Sequence, residues 1–278
     1  RAAFAGALIA TLLAGCGPRA ARAPSSPRVA FTIQKLAGNL YELSYDAGGY
    51  PDKIIASLGE DGLLLVDTGG RHAGRSLADT LAAFGKGQPR IVVNTHSHIE
   101  HLGGNAAVGR GALIVAHRNV RERYLDGLYA FGDFPPEALP GLTFTDSLTL
   151  HFNGEDVRLV AFPGAHDDSD VLVWFTGARV AVVGALCMGE HFPSIDLDTG
   201  DIRRYPEVAR RLLAYLPEDA TLVPAHAADC TMAQGRRFLE MLEQTGALVR
   251  RERARGNDLA RLRREDVLAA YRSFESSY

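Results

Sequence analysis

Asn94-Thr95-His96-Ser97-His98-Ile99-Glu100-His101-Leu102-Gly103-Gly104-Asn105 is the stretch on which the reading of this chain turns. It continues from Arg90-Ile91-Val92-Val93-Asn94, whose apolar centre reads as a buried strand. In extended backbone, side chains two residues apart point to the same side. His96 and His98 can therefore grip one metal ion together. Glu100 and His101 fall where the next turn begins and point to a neighbouring position. Imidazole and carboxylate are ligands that zinc accepts in hydrolytic sites, where three protein ligands leave one position open.

Two more histidines stand at strand ends. His166 lies in Pro163-Gly164-Ala165-His166-Asp167-Asp168-Ser169-Asp170, ahead of the run VLVWF at 171–175. His226 closes Val223-Pro224-Ala225-His226, after ATLVP at 220–224. Alone, either reads as a loop or core histidine; beside the cluster, both read as ligands.

Outward from these points, short strands are expected at 29–36, 40–45 and 53–58, with the turn Asp46-Ala47-Gly48-Gly49 between the last two. The run Gly62-Leu63-Leu64-Leu65-Val66 ends in Asp67-Thr68-Gly69, and 72–84 reads as a helix. A strand at 113–116 and a helix at 119–130 follow. A strand-rich block spans 143–183, with runs at 143–150, 157–162, 171–175 and 178–184. A helix at 205–216, the strand 220–224 and helical sequence from 231 to the end complete the order. Two strand–helix halves facing each other give an α/β (α+β) chain folded as a four-layer αββα sandwich.

The chain resembles the metallo-β-lactamase superfamily of hydrolases over roughly residues 29–230. The likeness rests on Gly59 through Gly69, the His96–Asn105 motif, the His166 segment and Pro224-Ala225-His226, in the family's order. The resemblance implies the αββα fold, with the metals at the sheet edges. It gives His96, His98 and His166 to one zinc and Glu100, His101 and His226 to a second. It also implies a zinc-activated hydroxide attacking a small-molecule substrate of the β-lactam, lactone or ester type. Glu100 and Asp67 are the candidate catalytic residues. Glu100 would bind the second metal or act as general base. Asp67 lies behind the site in the family; it would orient a ligand histidine, or else is a turn residue.

Three positions depart from the family's pattern. Glu100 stands where Asp is usual, Ala185 where many members have an Asp or Cys ligand, and Asp167 where Thr commonly follows the histidine. Cys187, Glu190 and His191 are candidate replacements for the ligand missing at Ala185. One or two Zn2+ ions are expected on this pattern. The alternative reading is a degenerate, non-catalytic binding protein with an incomplete second site. His72, His117 and His151 read as surface or core residues, and Trp174 as core.

Composition narrows the class. Of 278 residues, 46% are hydrophobic and 23% charged, which excludes a disordered chain. Net charge is -3, from 30 basic and 33 acidic residues, so no global field calls for nucleic acid. The arginine-rich stretch from Arg236 to Arg264 reads as a solvated helical face. Three cysteines exclude a disulfide scaffold, although Cys187 and Cys230 could pair. Oligomeric state is left open.

The N-terminus reads as a targeting segment. After Arg1, residues 2–15 are uncharged and apolar, too short to span a bilayer that needs about 20 residues. Leu13-Ala14-Gly15-Cys16 resembles a bacterial lipobox; the alternative is an ordinary secretory peptide with an incidental cysteine. Residues 1–16 are thus expected to be a lipoprotein signal peptide with Cys16 as the lipid anchor, and 17–28 a flexible tether. Residues 29–278 are expected to be the hydrolase domain with C-terminal helices. The protein would then be exported and membrane-anchored, facing the periplasm or the cell exterior.

Overall fold

Side chains along a strand alternate between two faces, and here both faces are apolar. Leu64 and Val66 join one buried cluster, while Leu63 and Leu65 join another. Strands buried on both sides must be covered on both sides, which calls for a layered sandwich. The computed structural model, which describes residues 28–85, 87–127 and 134–274, has that architecture. The signal peptide and lipid anchor read at 1–16, and all of the tether but Arg28, lie outside the described residues, as do the last four residues of the expected domain.

Among the described residues, the first sheet has seven strands in sequence order: β1 (Thr32–Ala37), β2 (Leu40–Asp46), β3 (Pro51–Gly59), β4 (Gly62–Val66), β5 (Ile91–Val93), β6 (Leu113–His117) and β7 (Leu142–Phe144). The second comprises β8 (Ser147–Phe152), β9 (Glu155–Ala161), β10 (Val171–Phe175), β11 (Val180–Gly184), β12 (Thr221–Pro224) and β13 (Cys230–Thr231), in the spatial order β13-β12-β11-β10-β9-β8. Pairing is parallel from β4 to β7 and between β11 and β12, and antiparallel elsewhere. The helices are α1 (Gly74–Ala83), α2 (Ile99–Leu102), α3 (Asn105–Val108), α4 (Arg118–Leu125), α5 (Tyr205–Tyr215), α6 (Met232–Ala254) and α7 (Leu259–Arg264).

Three apolar layers hold these elements. Between the sheets, Ile55, Leu64, Val66 and Val93 meet Val171, Val173, Phe175 and Val182. Outside the first sheet, Leu65 and Val92 pack with Leu77 and Leu81 of α1 and Val108 of α3. Outside the second, Leu172, Trp174 and Val183 pack with Tyr205 and Leu212 of α5 and Phe238 and Met241 of α6. Each buried Leu, Val or Phe contributes about 1.5–3 kcal/mol by leaving water. Helix–sheet–sheet–helix is the αββα order expected, and no described helix is long and apolar enough to cross a membrane.

Two expected elements come out differently. The run 143–150, read as one strand, is divided between the sheets: β7 ends at Phe144, and β8 begins at Ser147 in the other sheet. The Asp146 carbonyl accepts from the Ala161 amide, so the chain has changed partners there. Alternating apolar and polar residues, as in 143–150, carry no signal for which sheet they join. The C-terminal helix is also interrupted: α6 ends at Ala254, Gly256 takes a left-handed φ of 83°, and Asp258 caps α7.

Candidate metal centre

Every predicted ligand leaves the end of a strand on one rim of the sandwich. β5 runs into the His96–Asn105 segment, the turn between β9 and β10 carries His166, and β12 ends at Pro224, two residues before His226. Outside the carboxyl ends of parallel strands, α/β sheets leave crevices for ligands.

The motif is clamped at both ends. The Asn105 amide donates to Asn94 Oδ1 at 2.9 Å, and Thr68 Oγ1 donates to Asn105 Oδ1 at 2.9 Å. The Thr68 amide donates to the His101 carbonyl at 2.8 Å, which draws α2 onto the loop after β4. Gly104 permits this approach, because a Cβ there would overlap the Thr68 carbonyl oxygen.

The six predicted ligands gather into two groups. Potential donor atoms of His96, His98 and His166 lie within 4.8 Å of one another, and so do those of Glu100, His101 and His226. His98 Nδ1 is 3.2 Å from His166 Nε2, and His101 Nε2 is 3.1 Å from His226 Nε2. Tetrahedral zinc with bonds of about 2.0–2.1 Å sets ligand nitrogens roughly 3.3 Å apart. The spacing therefore fits a metal ion. His96 Nε2 is buried with no hydrogen-bond partner, a state that burial penalises unless the lone pair is used.

Tautomers follow from what each ring's outer nitrogen meets. His166 Nδ1 donates to the Ser194 carbonyl at 2.8 Å, leaving Nε2 to face inward. His98 Nε2 meets Asp196 Oδ2 at 3.0 Å, leaving Nδ1. His226 Nδ1 lies 3.2 Å from the Pro51 carbonyl and 2.8 Å from Asp52 Oδ1, leaving Nε2. Asp67 serves two histidines. Its Oδ2 takes the His101 Nδ1 proton at 3.0 Å and the Thr95 hydroxyl at 2.7 Å. That hydroxyl oxygen then accepts from His96 Nδ1 at 3.0 Å. Five inward nitrogens are thus selected by five outward acceptors, as supporting partners select metal-ligand tautomers elsewhere.

Electrostatics agree with this division. Burial and the facing His98 push His166 down to about 4, and burial with the surrounding imidazoles holds His96 well below its usual value. Both rings are neutral at pH 7, as a ligand must be. Burial also opposes charge on His101, but the Asp67 carboxylate outweighs it and raises that ring to about 9. Burial pushes Glu100 up, yet the His98 hydrogen bond and the charges of His101 and His98 hold it far below the carboxylate range.

A pocket of about 290 Å³ opens over both groups, near the lower end for small-molecule sites. Tyr50, Met188, Phe192 and Pro193 line it with the histidines and Glu100, and Tyr50 stands edge-on to His226 at 5.3 Å. Ala185 lines it too, with no ligand atom to offer. None of its candidate replacements joins either group among the described residues. Cys187 is buried in the layer beneath α6, and Glu190 pairs with Arg237 at 3.3 Å. Cys187 and Cys230 are free thiols.

The residues read as bystanders stand outside the two groups. His72 packs edge-on to Tyr45, His117 caps α4, His151 pairs with Asp156 at the surface, and Trp174 is core. Asp67 is 3% exposed and does not line the pocket, so it positions ligands rather than touching substrate. Asp167 is a buried anchor: Oδ2 accepts from the Ser97 hydroxyl at 2.6 Å and the Ser169 hydroxyl at 2.7 Å, and Oδ1 from the Ser169 amide at 2.6 Å. Buried Arg123 donates to Ser97 Oγ at 3.1 Å and pairs with Asp168 at 2.5 Å.

Sequence reasoning assigned no role to Asp52, Thr95 or Asp196. Asp52 stands one residue ahead of the expected strand 53–58, and the structure takes it into β3. Asp196 carried no signal, because only the fold returns its loop to His98.

Known proteins give the arrangement its context. The fold superposes on the metallo-β-lactamase from Pontibacter korlensis with a TM-score of 0.67, 21% identity, and coverage of 77% of this chain and 99% of that one. It superposes on the DIM-1 metallo-β-lactamase with a TM-score of 0.64, 16% identity, and coverage of 78% and 99%. In sequence, metallo-β-lactamase domain-containing protein 1 of Rattus norvegicus is 30% identical over 172 residues, 60% of this chain and 62% of that protein. Its counterpart from Mus musculus is 34% identical over 125 residues, 44% and 42%. The match thus spans less than two thirds of the length of either relative. The sequence profile of the metallo-β-lactamase superfamily covers residues 54–226, and with both histidine groups inside that span, the chain belongs to this superfamily.

Proposed function

We propose that this protein is a zinc-dependent hydrolase of a small molecule whose scissile bond is of the β-lactam, lactone or ester type. One observation carries the reading: six donors form two groups, and every histidine's outer nitrogen is tied to an acceptor. A site built only to bind an organic ligand has no need for five imidazole lone pairs aimed inward. Two divalent ions fit, with His96, His98 and His166 holding one and Glu100, His101 and His226 the other. A bound ion supplies Lewis acidity, polarising a carbonyl and bringing a water's pKa towards neutral.

The chain's own residues do the rest. Glu100 is ionised at neutral pH and half-buried at the mouth, so it can ligate or take a proton from water. Its side chain is one methylene longer than aspartate and still brings an oxygen to His101 and His226. Asp67 orients His101 directly and His96 through the Thr95 hydroxyl. Met188, Phe192 and Pro193 form a dry wall on one side, which strengthens every electrostatic interaction within. The leader read at residues 1–16 would place this activity outside the cytoplasmic membrane, anchored through Cys16; lipid labelling abolished by Cys16→Ala tests that placement.

The full chain, loaded with zinc, is to be assayed against a β-lactam, a lactone and an ester series. Turnover is expected, lost on chelation and in His98→Ala with circular dichroism unchanged. Turnover indifferent to chelator, or none on any of these bonds, would refute the reading.

A further inference from the structure

The loop that forms the dry wall of the metal pocket has a second face. Phe192 and Pro193 line the metal pocket and also a separate cavity of about 330 Å³. From these two residues the cavity runs between Ile202 and Pro206, at the start of α5, and Leu242 and Val249 of α6. None of its lining residues is acidic, and the charges flanking it are Arg203 and Arg250. Ile202, which lines it, is 52% exposed, and Leu197 on the same loop is 95% exposed.

One residue on α6 keeps this cavity open. Gly246 lies in the helix interior, where glycine is among the poorest helix formers. A Cβ there would press only on the guanidinium of Arg250, the free end of a flexible side chain. Helix formation therefore gives no reason for glycine here, and its visible consequence is space in the cavity wall.

We propose that this groove holds the apolar tail of the substrate, an acyl or alkyl chain attached to the bond hydrolysed at the metal centre. The inference rests on the hydrolase reading above and narrows its substrate class. At roughly 30 Å³ for a unit the size of a water molecule or methylene, the cavity takes on the order of ten carbons. Phe192 and Pro193 border both spaces, so a substrate lying across that loop would place its carbonyl over the histidines and its chain in the groove. Arg203 is already paired with Asp201 through two hydrogen bonds, so the cation at the rim is Arg250, which favours a neutral or anionic chain over a cationic one.

Two assays test this on the full chain, with Gly246→Leu as the filling variant, a change that suits the helix and spares the metal site. The first is calorimetric binding of decanoate to chelator-treated protein, which needs no turnover. Binding is expected, and Gly246→Leu should weaken it at least about tenfold, equivalent to roughly two methylenes displaced. The second compares 4-nitrophenyl esters from acetate to decanoate on zinc-loaded protein. kcat/KM should rise roughly threefold to fourfold per methylene until the groove is full. Gly246→Leu should flatten that rise and leave the acetate ester unchanged.

No decanoate binding, equal binding by the variant, or a flat chain-length profile overturns the proposal. Light scattering adds one more outcome: a dimer that Gly246→Leu dissociates would assign the groove to a second copy of the chain and overturn it as well. Decanoate binding sensitive to Gly246→Leu, with no ester hydrolysed at any length, would keep the groove as an acyl site and sink the hydrolase reading instead.

Discussion

Replacing Asp67 with Asn changes almost nothing in shape and should disable the second metal group. Asp67 Oδ1 accepts the Thr95 amide at 2.8 Å, a bond that fixes Oδ1 as the amide oxygen of the variant. The new NH2 then occupies the place of Oδ2, which receives two protons in the native protein, from Thr95 Oγ1 and His101 Nδ1. The hydroxyl can rotate and accept. The imidazole can accept only by moving its proton to Nε2, the nitrogen that faces His226. Loss of such a supporting partner typically weakens metal binding about 10–100-fold, or roughly 1.4–2.7 kcal/mol.

The metal-free protein gives a second readout. His101, held at about 9 by Asp67 against the cost of burial, has a folded value above its unfolded value of roughly 6.5. Its stabilisation is therefore complete below pH 6.5 and lost as pH rises through about 9. Chelator-treated native protein should lose stability over that window, and Asp67→Asn should be weaker at pH 6 with a flatter profile. Metal affinity is to be read by competition against a chromophoric chelator. Unchanged affinity at both sites and an unchanged pH profile would refute the role assigned to Asp67.

Other expected outcomes follow from the same geometry. Asp196→Ala frees His98 Nε2 and should weaken the His96–His98–His166 site about 10–100-fold in the same competition assay, without touching the other site. Arg123→Met leaves Asp167 buried with its nearest cation removed, and denaturant unfolding should show a loss of about 3–5 kcal/mol. Asp167 is disfavoured by burial, but His166 and the donors on Ser97 and Ser169 outweigh this and lower its pKa. That stabilisation is present above the unfolded value of roughly 3.9 and is lost below it, so acid unfolding should be shallower in Asp167→Asn. With His101 charged in the metal-free state, zinc loading at pH 7.5 should release about one proton per second-site ion, measurable by calorimetry in buffers of different ionisation enthalpy.

Much of this was legible in the sequence because ligand chemistry is local. Three histidines within six positions, after a buried strand, announce a metal site without any knowledge of the fold. His166 and His226 became readable only by association, since each sits alone at a strand end. The sandwich was legible from the succession of two strand–helix halves and from the resemblance, and the structure gives the physical reason: runs such as Leu63–Val66 are apolar on both faces and must be covered on both. The supporting residues were not legible. Asp196 reaches His98 across 98 positions, and Asp52 lies 174 residues from His226. A carboxylate's hydrogen-bond partner is set by folding, and its own neighbours in sequence say nothing of it. The division of 143–150 between two sheets was hidden for a related reason: apolar alternation reports burial but not the identity of the strand alongside.

Metal stoichiometry decides whether Glu100 completes a second metal site although position 185 offers no ligand. Elemental mass spectrometry on the tagless protein, dialysed against trace zinc and then against metal-free buffer, tests this most directly. Two ions per chain are expected, falling to one in His226→Ala. One ion or none in the native protein, under conditions where His96, His98 and His166 are intact, would contradict this.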